Sequence, residues 1–230
     1  MAGGAFAQGN VAWNTIGANA FTVQTNATVI SPLFGGGASG IVGATVGNTA
    51  NVATTFSYEL LYLGGSQVSA PTTLAALAGW SDAGLSAVNS GTGRASVSGA
   101  QTSQASTVPW AAGTTDNIVL VGWSDNLGLL GNGTQTYANV LNVLNNWNTG
   151  GVYNPVAGQN YFFGISTAGY ESPTTANPGP TILATAPNAT GTPIFSLLTQ
   201  LDLLPVPEPG TLALCGLGGL ALALIRRQRK

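Results

Sequence analysis

The amino-acid sequence predicts a mainly β protein: an antiparallel β-sandwich of jelly-roll type with one inserted amphipathic helix, followed by a hydrophobic helix at the C-terminus. Three observations carry this expectation. Short β-compatible runs recur along the chain, separated by Gly, Asn, Ser and Pro, with 33 Gly and 12 Pro among 230 residues; many short strands joined by turns are the pattern of sandwiches and barrels. One main stretch repeats its apolar residues at helical spacing instead. No repeat of fixed period is present, which places a parallel β-helix second.

The elements follow in order. Weaker β-compatible runs lie near 11–16, 20–30 and 41–46. The strongest strand is 54–63, where Phe56, Tyr58, Leu60 and Tyr62 alternate onto one face before the turn pair Gly64-Gly65. Residues 74–78 suit a short helical turn, and further strand runs sit at 84–89 and 94–98. At 117–124 the run Asn-Ile-Val-Leu-Val-Gly-Trp-Ser is apolar enough for burial on both sides. Tyr137, Val140, Leu141, Leu144 and Trp147 then recur every three or four residues, with Thr134 or Thr136 as N-cap and Gly150-Gly151 as the stop. Residues 159–167 and 193–199 are the last strand candidates, joined by a crossover at 172–193 that holds five prolines.

Charge is scarce and unevenly placed. Charged residues make up 5% of the chain, against roughly 25% in an ordinary soluble domain. Four of the five basic residues are Arg226, Arg227, Arg229 and Lys230, so residues 1–205 hold six acids against Arg94 alone, a net of −5. A body with a single cation cannot neutralise phosphates, which excludes nucleic acid as a partner. There is no His and one Cys, Cys215. No intrachain disulfide can form, and no zinc, haem or iron–sulfur site can be assembled from Cys and His. No cofactor is expected.

The last 26 residues read as three physical parts. Pro205, Pro207 and Pro209 hold the segment around Glu208 extended, because proline neither continues a helix nor permits helix in the residue before it. Extended peptides are what processing enzymes bind, through strand-like backbone hydrogen bonds. Residues 211–225 carry no charge and as a helix span about 22 Å, short of the roughly 30 Å hydrocarbon core. The basic cluster directly after them decides for a membrane segment, its side chains snorkelling to the cytoplasmic interface.

Val206-Pro207-Glu208-Pro209, the Leu/Ala/Gly-rich run and the terminal basic cluster together resemble the PEP-CTERM protein-sorting domain of Gram-negative bacteria. The resemblance covers 206–230. It implies processing by exosortase, with Pro207, Glu208 and Pro209 as the recognition element and Arg226, Arg227, Arg229 and Lys230 as the stop-transfer cluster. It also implies export, a transient inner-membrane anchor with the body in the periplasm, and delivery to the cell surface or an exopolysaccharide-rich matrix. Residues 1–8, ending in Ala5-Phe6-Ala7-Gln8, fit the tail of a signal peptide whose start lies upstream of Met1. The chain then divides into that remnant, a β body at 9–199, a linker at 200–205 and the sorting tail.

Little in the body points to chemistry. Without His or a body Lys, the usual Ser triads and Ser–Lys dyads are unavailable, and Gly35-Gly36-Gly37 lacks the Lys of a phosphate loop. The best acid pair is Asp82 with Asp125. Each closes a Gly-Trp-Ser-Asp tetrapeptide, at 79–82 and 122–125. Such a pair suits a carboxylate dyad or two loops binding Ca²⁺ or sugar; the plainer reading is two strand ends with Asp as turn former or helix cap. Trp80, Trp110 and Trp123 have the flat apolar faces that stack on sugar rings. For each a core or interface role is the plainer reading; Trp110, after Pro109 in a Ser/Thr/Gly-rich loop, is the best candidate for exposure. The sequence therefore predicts a structural or adhesive surface protein that is not an enzyme, with a carbohydrate-binding module as the alternative.

Overall fold

The computed structural model describes residues 8–12, 23–25, 44–45, 56–90, 94–97, 105–130, 133, 135–148, 161–177, 179–184, 189–195 and 201–205. Its elements are β1 (Gln8–Ala12), β2 (Val23–Thr25), β3 (Ala44–Thr45), β4 (Phe56–Gly64), α1 (Leu74–Leu77), β5 (Ser81–Ser90), β6 (Arg94–Val97), β7 (Ala105–Ala111), β8 (Asp116–Ser124), α2 (Asp125–Gly128), α3 (Tyr137–Asn148), β9 (Phe162–Ile165), β10 (Gly169–Glu171), β11 (Leu183–Ala184), β12 (Gly191–Thr192), β13 (Ile194–Phe195) and β14 (Leu201–Pro205).

The expected mainly β, antiparallel character is present. The centre is the pair β4–β8, antiparallel from Phe56↔Ser124 to Gly64↔Asp116. From it a large sheet extends in the order β3-β2-β14-β9-β8-β4-β5-β6, with β10 and β12 attached beside β9. Among the described strands only β14–β2 and β11–β13 are parallel. The second edge of β8 serves two partners, β9 at Val121–Trp123 and β10 at Asp116–Ile118. Between them Ser166 bridges the gap: Leu120 N–H donates to Ser166 Oγ at 2.9 Å, and Ser166 N–H donates to Leu120 O at 2.8 Å.

Both faces of this sheet are buried. On one, Phe56, Tyr58 and Leu60 of β4, Ile118 and Leu120 of β8 and Ala83 and Ala87 of β5 meet two small sheets. These are β1–β7, through Val11, Val108 and Trp110, and β11–β13, through Leu183 and Ile194. On the other, Leu61, Val119, Val121, Trp123 and Phe163 meet the helices through Leu74, Leu77, Leu127, Tyr137, Val140, Val143 and Leu144. The alternation of 54–63 is therefore real, but its second face is covered as well. β8 is buried at every position, as its apolar run predicts.

Local chemistry fixes the ends. Thr73 caps α1, its Oγ1 accepting from Ala76 N–H at 3.1 Å. Asn117 ties down the turn after β4: its Oδ1 accepts from Val68 N–H at 2.9 Å and its Nδ2 donates to Leu63 O at 3.0 Å and Ser66 O at 3.2 Å. Asn139 Nδ2 closes the end of α2, donating to Gly128 O at 2.7 Å and Leu130 O at 3.0 Å. Gly84 lies within the β4–β5 register shift, between Asp82 and Ser86, at φ +73°, a conformation that favours glycine.

Two segments differ from expectation. The stretch around Trp110 is strand β7 rather than an exposed loop. Among the described strands its only partner is β1, and the register jumps from Gly9↔Val108 to Gln8↔Ala111, so Pro109 and Trp110 occupy a bulge in which a proline removes no ladder bond. Within the expected linker, Leu201–Pro205 is strand β14, pairing with both β2 and β9. Its Leu-Asp-Leu-Leu sequence is strand-compatible, and Pro205, which has no N–H, stands at the strand's end. Residues 1–7 and the apolar run 211–225 lie outside the described residues; among those described, no helix is long and apolar enough to cross a membrane.

Candidate functional site

The most unusual side chain of the body is Glu59, in the middle of β4 and on its helix-covered face. It is 6% exposed, and a buried carboxylate is costly unless it is hydrogen-bonded. Its Oε2 accepts from Tyr137 N–H at 3.1 Å. Tyr137 is the first residue of α3, so Glu59 satisfies an orphan donor of that helix from across the sheet. Tyr137 in turn donates its hydroxyl to Leu77 O at 2.9 Å, joining α3 to α1.

The register places Asp82, on β5, opposite Leu61 and within hydrogen-bonding reach of Glu59. Asp82 is exposed and also accepts from Gly84 N–H at 2.7 Å. Burial first, and the Asp82 charge second, push the Glu59 carboxyl from an ordinary 4.5 up to about 7; the Tyr137 N–H opposes them. The same two causes raise the Tyr137 hydroxyl. Near neutrality the Glu59 carboxyl is therefore partly protonated, on the inner side of the water-facing Asp82, and it is held as a cap on the start of α3.

Asp125, the other predicted acid, is elsewhere. Asp82 lies opposite Leu61 and Asp125 follows Ser124, which lies opposite Phe56. Asp125 is the first residue of α2, and its Oδ1 accepts from Ser57 Oγ at 2.8 Å. Ser57 and Glu59 stand two residues apart on β4, about 7 Å along the strand, so the two aspartates reach neighbouring positions of that strand through different partners. Asp82 supports a turn and Asp125 opens a helix.

The predicted tryptophans are core residues. Trp80 is 5% exposed, Trp110 5% and Trp123 0%. Trp80 and Trp123 lie in the cluster under the helices. Trp123 Nε1 donates to Gln135 Oε1 at 2.9 Å while Gln135 Nε2 donates to Asp125 O at 2.8 Å, which locks the second Gly-Trp-Ser-Asp segment to the approach of α3. Trp110 lies against the opposite face, its ring stacked on Tyr62 with centroids 5.1 Å apart. Exposure of Trp110 is corrected: the β7 bulge places it in the core. The sequence reading passed over Glu59 and Tyr137. The available signal was Leu61, whose place on the same face as Glu59 marks that face as covered.

Among the described residues, no group of three or more His, Cys, Asp or Glu is placed to hold a metal ion. Pro207, Glu208, Pro209, Arg226, Arg227, Arg229 and Lys230 lie beyond the described residues, directly after β14 in the chain.

The tail defines the class to which the chain can be assigned: proteins carrying a C-terminal sorting signal. Residues 205–230 match the PEP-CTERM protein-sorting motif. No curated protein and no solved structure matches the chain. The motif marks an exported protein targeted to exosortase for processing toward the cell surface.

Proposed function

We propose that the protein is a non-enzymatic structural or adhesive component of the cell surface or extracellular matrix, released or anchored by exosortase. In this reading residues 211–225 hold the precursor in the inner membrane, with Arg226, Arg227, Arg229 and Lys230 on the cytoplasmic side and the body in the periplasm. Pro207, Glu208 and Pro209 present an extended peptide for recognition. The observation that carries the reading is the sorting motif beginning where a folded, charge-poor β body ends. The body adds support of a negative kind: Trp80, Trp110 and Trp123 are buried, and Asp82 and Asp125 accept hydrogen bonds within the fold.

The test is the mass and location of the mature chain in cells that carry an exosortase. A surface or matrix form that has lost the apolar run and basic cluster supports the proposal; a chain that still ends at Lys230 and stays in the cytoplasm defeats it. A carbohydrate-binding role for exopolysaccharide through Trp80, Trp110 and Trp123 is disfavoured by their burial, since stacking needs an open ring face.

A further inference from the structure

The match to the sorting motif overlaps the end of a strand. It begins at residue 205, and Pro205 is the last residue of β14. β14 is an interior strand of the sheet, parallel to β2 through Leu201↔Val23, Asp202↔Gln24 and Leu203↔Thr25, and antiparallel to β9 through Leu204↔Phe163 and Pro205↔Phe162. On the β9 side it meets the core, since Phe163 is fully buried and β9 itself pairs with the central strand β8.

Five residues, 206–210, separate Pro205 from the apolar run that starts at Thr211. Fully extended they reach at most about 18 Å. A body of roughly 200 residues has a radius of gyration of about 16 Å, so that length holds it close to the membrane surface. A processing enzyme must also close strand-like hydrogen bonds around several residues of its peptide. With β14 in the sheet, the backbone N–H and C=O groups on the N-terminal side of Pro207-Glu208-Pro209 are already paired to β2 and β9. Unpairing β14 frees those groups and roughly doubles the reach, to about 36 Å.

We infer that β14 gates sorting: it leaves the sheet for the Pro-Glu-Pro segment to enter the processing enzyme, and re-pairs after cleavage as the C-terminal strand of the mature body. This rests on exosortase processing as the fate of the tail. It makes β14 the strand whose local opening sets the processing rate. The weak side of its pairing fits this role: β2 has three residues, β3 has two, and only two register pairs join β14 to β9.

The experiment locks β14 to β9. Phe162 and Pro205 are register partners, and antiparallel partners lie about 4.5–5.5 Å apart at Cα, within disulfide range. Phe162→Cys with Pro205→Cys, in a Cys215→Ala full-length chain, is expressed in the exosortase-bearing cell. Conversion of precursor to tail-less protein is followed with the disulfide formed and with it reduced. The reduced form is the control for both substitutions. The oxidised form is expected to be processed at least about tenfold more slowly, because the bond removes the open state. A flexible spacer of about ten Gly/Ser residues between Pro205 and Val206 adds roughly 16–19 Å and is expected to restore processing of the locked form. Equal rates for oxidised and reduced protein overturn the inference, and so does a spacer that fails to rescue. If the wild-type chain itself keeps its tail in those cells, the processing reading fails and takes this one with it.

Discussion

Replacing Glu59 by Gln is expected to leave the body as stable as wild type near pH 5 and to make it more stable at pH 8. The amide copies the protonated carboxyl: its oxygen still accepts from Tyr137 N–H, and its NH₂ donates to Asp82 where the acid's proton did. The sign follows from the raised value. Glu59 titrates at about 7 in the folded state against an ordinary 4.5, so between those values the folded chain holds more protons than the unfolded one. Wild-type stability therefore falls as pH rises through that window, and is lowest above it. The full displacement bounds the loss at about 3 kcal/mol. Asp82 is solvent-exposed, and screening there brings the expected loss to about 2 kcal/mol. Urea unfolding of both proteins at pH 5, 6, 7 and 8 measures it, and the difference between them cancels every other titrating group, including the buried Asp116, whose value is also raised. For a body of this size about 2 kcal/mol corresponds to roughly 4–8 °C in Tm. A variant that runs parallel to wild type across the series, or is the weaker protein at pH 8, refutes the raised Glu59 value.

Four other substitutions, at three positions, test the rest of the frame. Asn117→Ala strands Val68 N–H and the carbonyls of Leu63 and Ser66, and is expected to cost about 1–3 kcal/mol in urea unfolding with an unchanged m-value. Trp123→Phe keeps an aromatic ring but removes the bond to Gln135, costing about 1 kcal/mol, whereas Trp123→Ala empties a fully buried site and costs about 3–5 kcal/mol. Gly169→Ala puts a Cβ 2.6 Å from Thr192 O and 2.9 Å from Ile194 N, both backbone atoms, so β10 must move; a loss above about 2 kcal/mol is expected by the same assay.

Much of the frame was legible because it is written in short-range patterns. β4 shows as strict alternation, β8 as an unbroken apolar run between turn residues, and α3 as a repeat of three and four. β7 was not legible, since Pro109 argues against a strand wherever both edges are paired; only the bulge against β1 admits it. The carboxyl pair was hidden for a different reason. Glu59 and Asp82 are 23 positions apart, and their meeting depends on the register shift between Glu59 and Leu61 and on a helix that arrives 78 positions after Glu59. The matched Gly-Trp-Ser-Asp segments drew attention to Asp82 and Asp125 as a pair, yet each takes its own partner on β4, Asp82 at Glu59 and Asp125 at Ser57.

The scarcity of charge in the body acquires a physical sense from where the acids sit. Of the six acids in residues 1–205, four accept from named donors within the fold. Glu59 takes Tyr137 N–H, Asp82 takes Gly84 N–H, Asp125 takes Ser57 Oγ, and Glu171 takes Ser172 N–H and Thr190 Oγ1. Glu171 is fully buried and pairs in register with Asp116, itself 6% exposed. These carboxylates work as strong acceptors for helix starts, turns and strand ends, where charge-assisted bonds are worth about twice neutral ones. Solubility then falls to Ser, Thr, Asn and Gly. A surface so poor in charge neither steers charged partners over distance nor repels other copies of itself. That suits a protein packed among polymers outside the cell better than one that must find a small ionic substrate. It also confines the chain's basic charge almost wholly to the last five residues, which the proposed cleavage removes.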